Sequence, residues 1–136
     1  MSHFHLIAGA LAVAAGAGAC ADGVGPGRVA GTYALRTVND SPVPLPGVYE
    51  PVSGTITLMA AGRAERRVRY RMTAEGTVRE FAATGSFRLR GSVLELALRE
   101  GDHVWTPQAE LVGARITLRY PHPADGPDIV ELYERR

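Results

Sequence analysis

The stretch GSVLELAL at residues 91–98 joins a turn to a strand in which apolar and polar side chains alternate. The stretch GARITLRY at residues 113–120 repeats this pattern without a gap. A period of two places Leu94, Leu96 and Leu98 on one side of the strand and Glu95 on the other. Such a unit cannot cover its own apolar face, so the pattern predicts that several of them pack in an antiparallel sheet.

Similar runs fill most of the chain from residue 31 onward, and Gly or Pro separates them at the spacing of an antiparallel meander. Glycine in the short connections supplies the positive φ that tight hairpins need. No stretch shows helical periodicity of comparable length. The predicted strands are residues 32–38, 54–60, 64–73, 77–83, 85–89, 93–99, 104–111, 115–120 and 129–134.

Short connections favour an up-and-down arrangement of these strands, and only residues 39–53 and 121–128, both rich in Pro, form longer ones. We therefore predict an all-β domain built as an antiparallel up-and-down β-barrel of eight or nine strands. The alternative is a β-sandwich. We expect the first and last strands to pair, because two free edges would expose rows of backbone N–H and C=O groups.

Alternation also predicts a bulky and almost wholly apolar interior. An eight-stranded barrel can be filled by such side chains or can hold one small ligand, so a filled core and a cavity both remain open. The side chains predicted to point inward are Tyr33, Leu35, Ile56, Leu58, Val68, Tyr70, Met72, Phe87, Leu89, Leu94, Leu96, Leu98, Ile116, Leu118 and Tyr120.

The first residues of the chain have the layout of an export signal. An apolar stretch at residues 6–15 precedes small residues and Cys20, which is the single cysteine. The stretch is too short for a spanning helix. We predict a signal peptide over residues 1–19, a flexible Gly-rich tether over residues 20–30, and a barrel domain over residues 31–136.

The sequence AGAC at residues 17–20 resembles the lipobox of bacterial lipoproteins, which implies that Cys20 is lipidated. The same small residues also suit an ordinary signal peptidase, which would release a soluble periplasmic protein.

The sequences GTY at 31–33, VNDSPVP at 38–44, TGSF at 84–87 and LYERR at 132–136 together resemble the small bacterial lipocalin-like lipoproteins. The resemblance covers residues 31–136. In lipocalins a Gly-x-Trp opens the first strand, and a late Arg packs across that ring to close the barrel. The resemblance therefore implies that Gly31 and Tyr33, with Arg135 or Arg136, close one end of this barrel.

All fifteen basic residues are Arg, and fourteen acidic residues leave a formal charge of +1, so the composition indicates no bulk attraction to nucleic acid or anionic lipid. The densest charge feature is Arg67, Arg69 and Arg71, with Arg63, Arg66 and Arg79 near it. The favoured interpretation is a solvated sheet face whose arginines pair with Glu65, Glu80 or Glu95. The alternative is an anion-binding patch.

Few residues suggest enzyme chemistry. His122 with Asp125 and Asp128 lacks a recognised metal-ligand spacing, and no Ser occupies a nucleophile elbow. We therefore predict no enzyme activity, no metal and no cofactor.

The expected function rests on analogy with the fold. We expect Tyr70 and Tyr120 to lie at the mouth of the barrel, and Trp105 to lie either there or in the core. The expected function is that of an exported, non-enzymatic envelope protein, lipid-anchored or otherwise periplasmic, that binds a small apolar ligand in or at this mouth. The alternative is a protein-interaction or inhibitor module that acts through its loops, above all residues 39–51. The expected partners are the membrane, such a ligand or an envelope protein, and not nucleic acid.

Overall fold

The computed structural model describes residues 25–136, so the predicted signal peptide and Cys20 lie outside the described residues. Within residues 25–136, no helix has the length and apolar character needed to cross a membrane. The elements are α1 Pro26–Val29, β1 Gly31–Val38, β2 Ser41–Pro42, β3 Glu50–Leu58, β4 Arg63–Arg71, β5 Val78–Arg90, β6 Val93–Glu100, β7 His103–Trp105, β8 Gln108–Val112, β9 Arg115–Tyr120 and β10 Ile129–Arg135.

Eight of these strands form a closed antiparallel barrel, and β2 and β7 are short additions to its sheet. The barrel closes where β1 pairs with β10, in a register that sets Tyr33 opposite Arg135 and Leu35 opposite Tyr133. The barrel and its closing pair confirm the predictions, and a sandwich is not formed. Closure leaves neither terminal strand with a free edge.

Strand β5 is one strand of 13 residues where two strands, residues 77–83 and 85–89, were predicted. The prediction was wrong because Gly85 does not interrupt the strand; it pairs with Ala64 on one side and Leu98 on the other. A Cβ at this position would overlap the carbonyl oxygen of Ala97. Glycine here permits a close approach of two backbones rather than a turn.

The predicted strand at residues 104–111 is two strands, β7 and β8. The ladder stops at Pro107, which has no N–H to donate, yet the pairs Leu98–Trp105 and Val93–Glu110 on either side share one register. The interruption opens a groove of about 950 Å³ in the barrel wall between β6 and β8.

A further short strand, β2, lies inside the first predicted loop. Asn39 and Asp40 both have positive φ, 49° and 67°, which permits a two-residue hairpin between β1 and β2.

Every side chain predicted to point inward is buried or half-buried, and all the buried ones except Val68 belong to one continuous core. Val29 belongs to that core too, and the Tyr33 hydroxyl donates to its carbonyl oxygen at 2.7 Å. The packed domain therefore begins before residue 31, within the segment predicted to be a tether.

We call the end that α1 covers the closed end; residues 59–63, 90–93 and 112–115 form its turns. The opposite end, with residues 39–50, 72–77, 100–103 and 121–128, is the mouth.

Candidate binding site at the barrel mouth

A pocket of about 560 Å³ opens at the mouth. Tyr70 near the end of β4, Tyr120 at the end of β9 and Ile129 at the start of β10 line it, because alternation turns all three toward the barrel axis. The remaining lining residues are Val38, Asn39, Ser41, Leu45, Val48, Tyr49, Glu50, Pro51, His122 and Pro123. The pocket is thus mainly apolar and aromatic, with a few polar groups.

The loop of residues 39–49 forms one wall of this pocket and is tied to the barrel. Arg71 donates from Nη1 to the carbonyl oxygens of Leu45 at 3.0 Å and Gly47 at 3.4 Å. Asn39 accepts the Val130 N–H on its Oδ1 at 2.8 Å. These bonds hold this wall of the pocket against the barrel.

The three aromatic residues predicted for the mouth do come to this end of the barrel. Tyr70 and Tyr120 line the pocket, and Trp105 packs edge-on against Tyr120 with 5.4 Å between the ring centroids. Tyr70 makes a similar edge contact with Phe81 at 5.6 Å. Such contacts stabilise the rings in fixed orientations.

A buried polar cluster lies behind Tyr120. Arg66, 7% exposed, donates from Nη2 to Oε1 of Glu131 at 2.6 Å, and Glu131 is wholly buried. The Tyr120 hydroxyl donates to the same Oε1 at 2.7 Å. The Tyr133 hydroxyl donates to Oε2 at 2.6 Å and accepts from Nε of Arg66 at 3.1 Å. We call these four residues the buried cluster; each carboxylate oxygen of Glu131 has a partner in it.

The environment raises the pKa of three members of this cluster, Arg66, Tyr120 and Tyr133. Burial by itself lowers the pKa of the Arg66 guanidinium, but the oxygens of Tyr133 and Glu131 outweigh it and hold that pKa well above its ordinary value. Burial first, and then the Glu131 charge, raise the pKa of both Tyr120 and Tyr133. The guanidinium also lies 5.3 Å from the Trp105 ring and 5.9 Å from the Tyr120 ring. The cluster therefore acts as a fixed support for Tyr120.

The buried cluster was not predicted, and the prediction that Arg66 is one of the surface arginines was wrong. Position 66 has the same parity as Val68 and Tyr70, which both point inward. Glu131 likewise shares its face of β10 with Tyr133. Opposite charges at inward positions of two strands were the signal that could have revealed the pair.

The arginines predicted to form a stripe on β4, Arg67, Arg69 and Arg71, are mostly engaged in contacts within the protein. Arg67 forms ion pairs with Glu65 and with Glu80, the latter at 2.9 Å, as the favoured interpretation expected. Arg71 is engaged with the mouth loop, and Arg69 is exposed. Two of the three side chains thus interact with the protein itself.

The predicted closure residues meet at the closed end. Arg135 lies 6.0 Å from the Tyr33 ring and donates to the Ala30 carbonyl oxygen. A Cβ on Gly31 would come within 2.9 Å of Nε of Arg135, so glycine leaves room for this side chain. The side chain of Arg136 is exposed, and its backbone N–H donates to Thr32 at 2.9 Å. Arg135 is therefore the cation of this contact.

The histidine considered as a metal ligand serves a loop. Nδ1 of His122 accepts the Ala124 N–H at 3.0 Å. In the part of the chain that the structure describes, no group of His, Cys, Asp and Glu is arranged to hold a metal ion.

No protein family, curated protein or solved structure matched this chain in our comparisons. The class of the protein rests on its fold: a closed, eight-stranded antiparallel barrel, compatible with a calycin-like fold, with a pocket at its mouth.

Proposed function

We propose that this protein is a non-enzymatic binding protein of the cell envelope that takes a compact apolar ligand into the mouth pocket. The observation that carries the proposal is a pocket of about 560 Å³ with Tyr70, Tyr120 and Ile129 on its walls. Mainly apolar pockets of this size, with a few placed polar groups, are typical small-molecule sites.

The packing below the pocket limits the shape of the ligand. Arg66 and Glu131 lie across the interior behind Tyr120, and the apolar core continues beneath them. A long acyl chain threaded along the barrel axis would have to displace a buried ion pair, which is costly. A short, ring-containing molecule fits this depth better.

The charges around the pocket limit the polarity of the ligand. Glu50 lines the pocket, and Asp125 and Asp128 lie in the mouth loop that carries His122 and Pro123. Arg71 lies opposite Glu50 and bonds to the loop wall of the pocket, so its charge offsets the nearby carboxylates, and a neutral ligand is favoured over a charged one. Because Tyr120 donates its hydroxyl to Glu131, it offers the ligand mainly its ring.

Binding is testable through Trp105, the single tryptophan, which packs on Tyr120. Titration with the neutral aromatic probe N-phenyl-1-naphthylamine should give saturable quenching at one site. Tyr70→Ala should weaken this binding about tenfold, as for a central aromatic anchor. Val112→Ala, at the exposed closed end, should leave it unchanged, and thermal melts would verify that both variants are folded. Non-saturable binding, or equal affinity in the two variants, contradicts the proposal.

A second candidate function is protein interaction through the mouth loops. Tyr49 is 70% exposed and has a positive φ of 62°, an uncommon conformation for an aromatic residue. Exposed tyrosines are frequent anchors of protein interfaces. A photo-crosslinker placed at position 49 should then give one discrete adduct in host cells that the same group at position 112 does not give. Identical adduct patterns at both positions contradict this second function.

The proposal includes export and lipid anchoring through Cys20, or otherwise release into the periplasm. The apolar leader and the AGAC sequence at residues 17–20 support it. The described chain also begins at the closed end, so an anchor at Cys20 would leave the mouth facing away from the membrane. An alkyne analogue of palmitate should label the wild-type protein and not Cys20→Ala. Equal labelling of both, or of neither, rules the anchor out.

A further inference from the structure

The barrel sorts its charges between its two ends. The closed-end segments, residues 25–30, 59–63, 90–93, 112–115 and 135–136, contain no acidic residue. Their charged residues are Arg28, Arg63, Arg90, Arg115, Arg135 and Arg136. Although the whole chain carries a formal charge of only +1, these segments carry six arginines, and the nearest carboxylates, Glu95 and Glu134, pair with only two of them.

The loops of the mouth have the opposite charge, although Arg71 at the end of β4 bonds to one of them. These four loops, residues 39–50, 72–77, 100–103 and 121–128, contain no arginine. Their acidic residues are Asp40, Glu50, Glu75, Glu100, Asp102, Asp125 and Asp128. The molecule therefore carries a charge asymmetry along the barrel axis, which orients it in an electric field or near a charged surface.

Several closed-end arginines are available to a partner. Arg90 and Arg115 form only exposed ion pairs, each at 3.3 Å, and exposed pairs of this kind are weak. The side chains of Arg28, Arg63 and Arg136 make no hydrogen bond or ion pair with any residue of the described range 25–136.

Apolar side chains project among these arginines. Met59 is 38% exposed, Val93 is 53% exposed and Val112 is 60% exposed, and each lies in or beside a closed-end turn. A surface that mixes arginines with projecting apolar side chains suits the interfacial region of a membrane, where the cations meet phosphates and the apolar tips enter the headgroup layer.

We propose that the closed end is a membrane-binding face that recognises anionic phospholipid headgroups. The chain enters the described domain at Gly25 on this same end, so the contact would act beside an anchor at Cys20. The acidic mouth would be repelled by the same surface and would point away from it. The interaction does not require lipidation, and its test can therefore fail independently of the anchor.

The test is co-sedimentation of full-length Cys20→Ala with two kinds of vesicle. One is pure phosphatidylcholine and the other contains phosphatidylglycerol. Residues 1–19 contain no Asp, Glu, Lys or Arg, so any insertion of this segment contributes similarly to both. The ratio of the two partition coefficients should be about tenfold at low ionic strength and should fall as salt screens the charges. A ratio near one at low salt overturns the proposal.

A matched pair of variants locates the contact. Arg28→Glu/Arg63→Glu should lower the ratio to about one by reversing charge at the closed end. Arg79→Glu/Arg99→Glu makes the same change in net charge at exposed positions nearer the mouth and should keep most of the ratio. Equal loss in both variants overturns the proposal, because net charge alone would then explain binding. Displacement of bound protein from the vesicles by an oligonucleotide of equal phosphate concentration also overturns it, because the face would then be a general polyanion site.

Discussion

The closed end and the mouth use the same eight strands for different purposes. At the closed end the turns are short, α1 packs Val29 into the core, and Arg135 covers Tyr33. At the mouth two long proline-rich loops surround an aromatic pocket. Short turns leave little surface that can vary, whereas long loops leave more, so one end of the barrel closes the core and the other carries a pocket.

The two ends also differ in how they satisfy buried tyrosines. The Tyr33 hydroxyl donates to a neutral backbone carbonyl, whereas the Tyr120 hydroxyl donates to the carboxylate of a buried ion pair. A buried ion pair is rarely better for stability than an apolar replacement. We infer that Arg66 and Glu131 hold Tyr120 in its orientation on the wall of the pocket.

Deletions should give the largest difference in stability between the barrel wall and the mouth. Removing residues 129–136 should abolish cooperative folding, because β10 closes the barrel and carries Glu131 and Tyr133 of the buried cluster. Removing residues 124–126 from the mouth loop should leave a cooperative transition in urea. A cooperative melt after the first deletion would show that the barrel does not depend on closure.

Two glutamates of β10 allow the stability contribution of a buried ion pair to be compared with that of exposed pairs. Glu131→Ala should lower the free energy of unfolding by about 3–5 kcal/mol, because it leaves Arg66 charged and buried without its partner. Glu134→Ala breaks only exposed pairs with Arg36 and Arg115 and should cost less than about 1 kcal/mol. Urea denaturation measures both, and equal costs would contradict the role given to the cluster.

Two tyrosines distinguish the ends directly. Tyr33→Ala should lower the free energy of unfolding by about 3 kcal/mol or more, because it empties a buried position beneath Arg135. Tyr49→Ala should stay within about 0.5 kcal/mol of wild type, since that side chain is largely exposed. If Tyr49→Ala proved as destabilising as Tyr33→Ala, the mouth loop would be part of the stable core.

Alkaline pH should reveal the buried tyrosines with no effect at neutral pH. Burial raises the pKa of Tyr33, Tyr120 and Tyr133 above the ordinary value near 10. The unfolded chain then loses these protons first, so stability is fully present below about pH 10 and falls as the pH rises further. Urea midpoints between about pH 8 and 11.5, with tyrosinate absorbance, measure this, and Tyr133→Phe should make the fall less steep. Constant stability over this range would contradict the burial of these hydroxyls.

Alternation along the strands predicted most of the barrel and the inward face of β4, and the cost of two free edges predicted its closure. The predicted strand boundaries were wrong at two positions, where a single Gly or Pro has a role that alternation does not indicate. Gly85 continues β5 instead of ending it, and Pro107 interrupts a ladder whose register is otherwise intact. A glycine or proline in a sequence marks an irregularity without saying which kind it is.

The mouth was predicted in part. The three aromatic residues were identified, but the wall that Arg71 holds by bonds to Leu45 and Gly47 was not, because the path of a long loop depends on contacts made far along the chain. The burial of Arg66 and Glu131 could have been predicted from their inward positions. The contact between them could not have been predicted from the sequence.

The sequence by itself determined which side chains point inward, because strand geometry alternates whatever the partner strand is. Only the tertiary structure decided which of them meet. Arg66 and Glu131 are 65 residues apart and come together across the barrel interior because β10 pairs with β1. The two charged ends arise in the same way. In an antiparallel barrel every second connection lies at the same end, so arginines that are far apart in the sequence, from residue 28 to residue 136, lie on one surface. The formal charge of +1 does not show this charge separation, because net charge is a sum over residues and does not depend on where the fold places them.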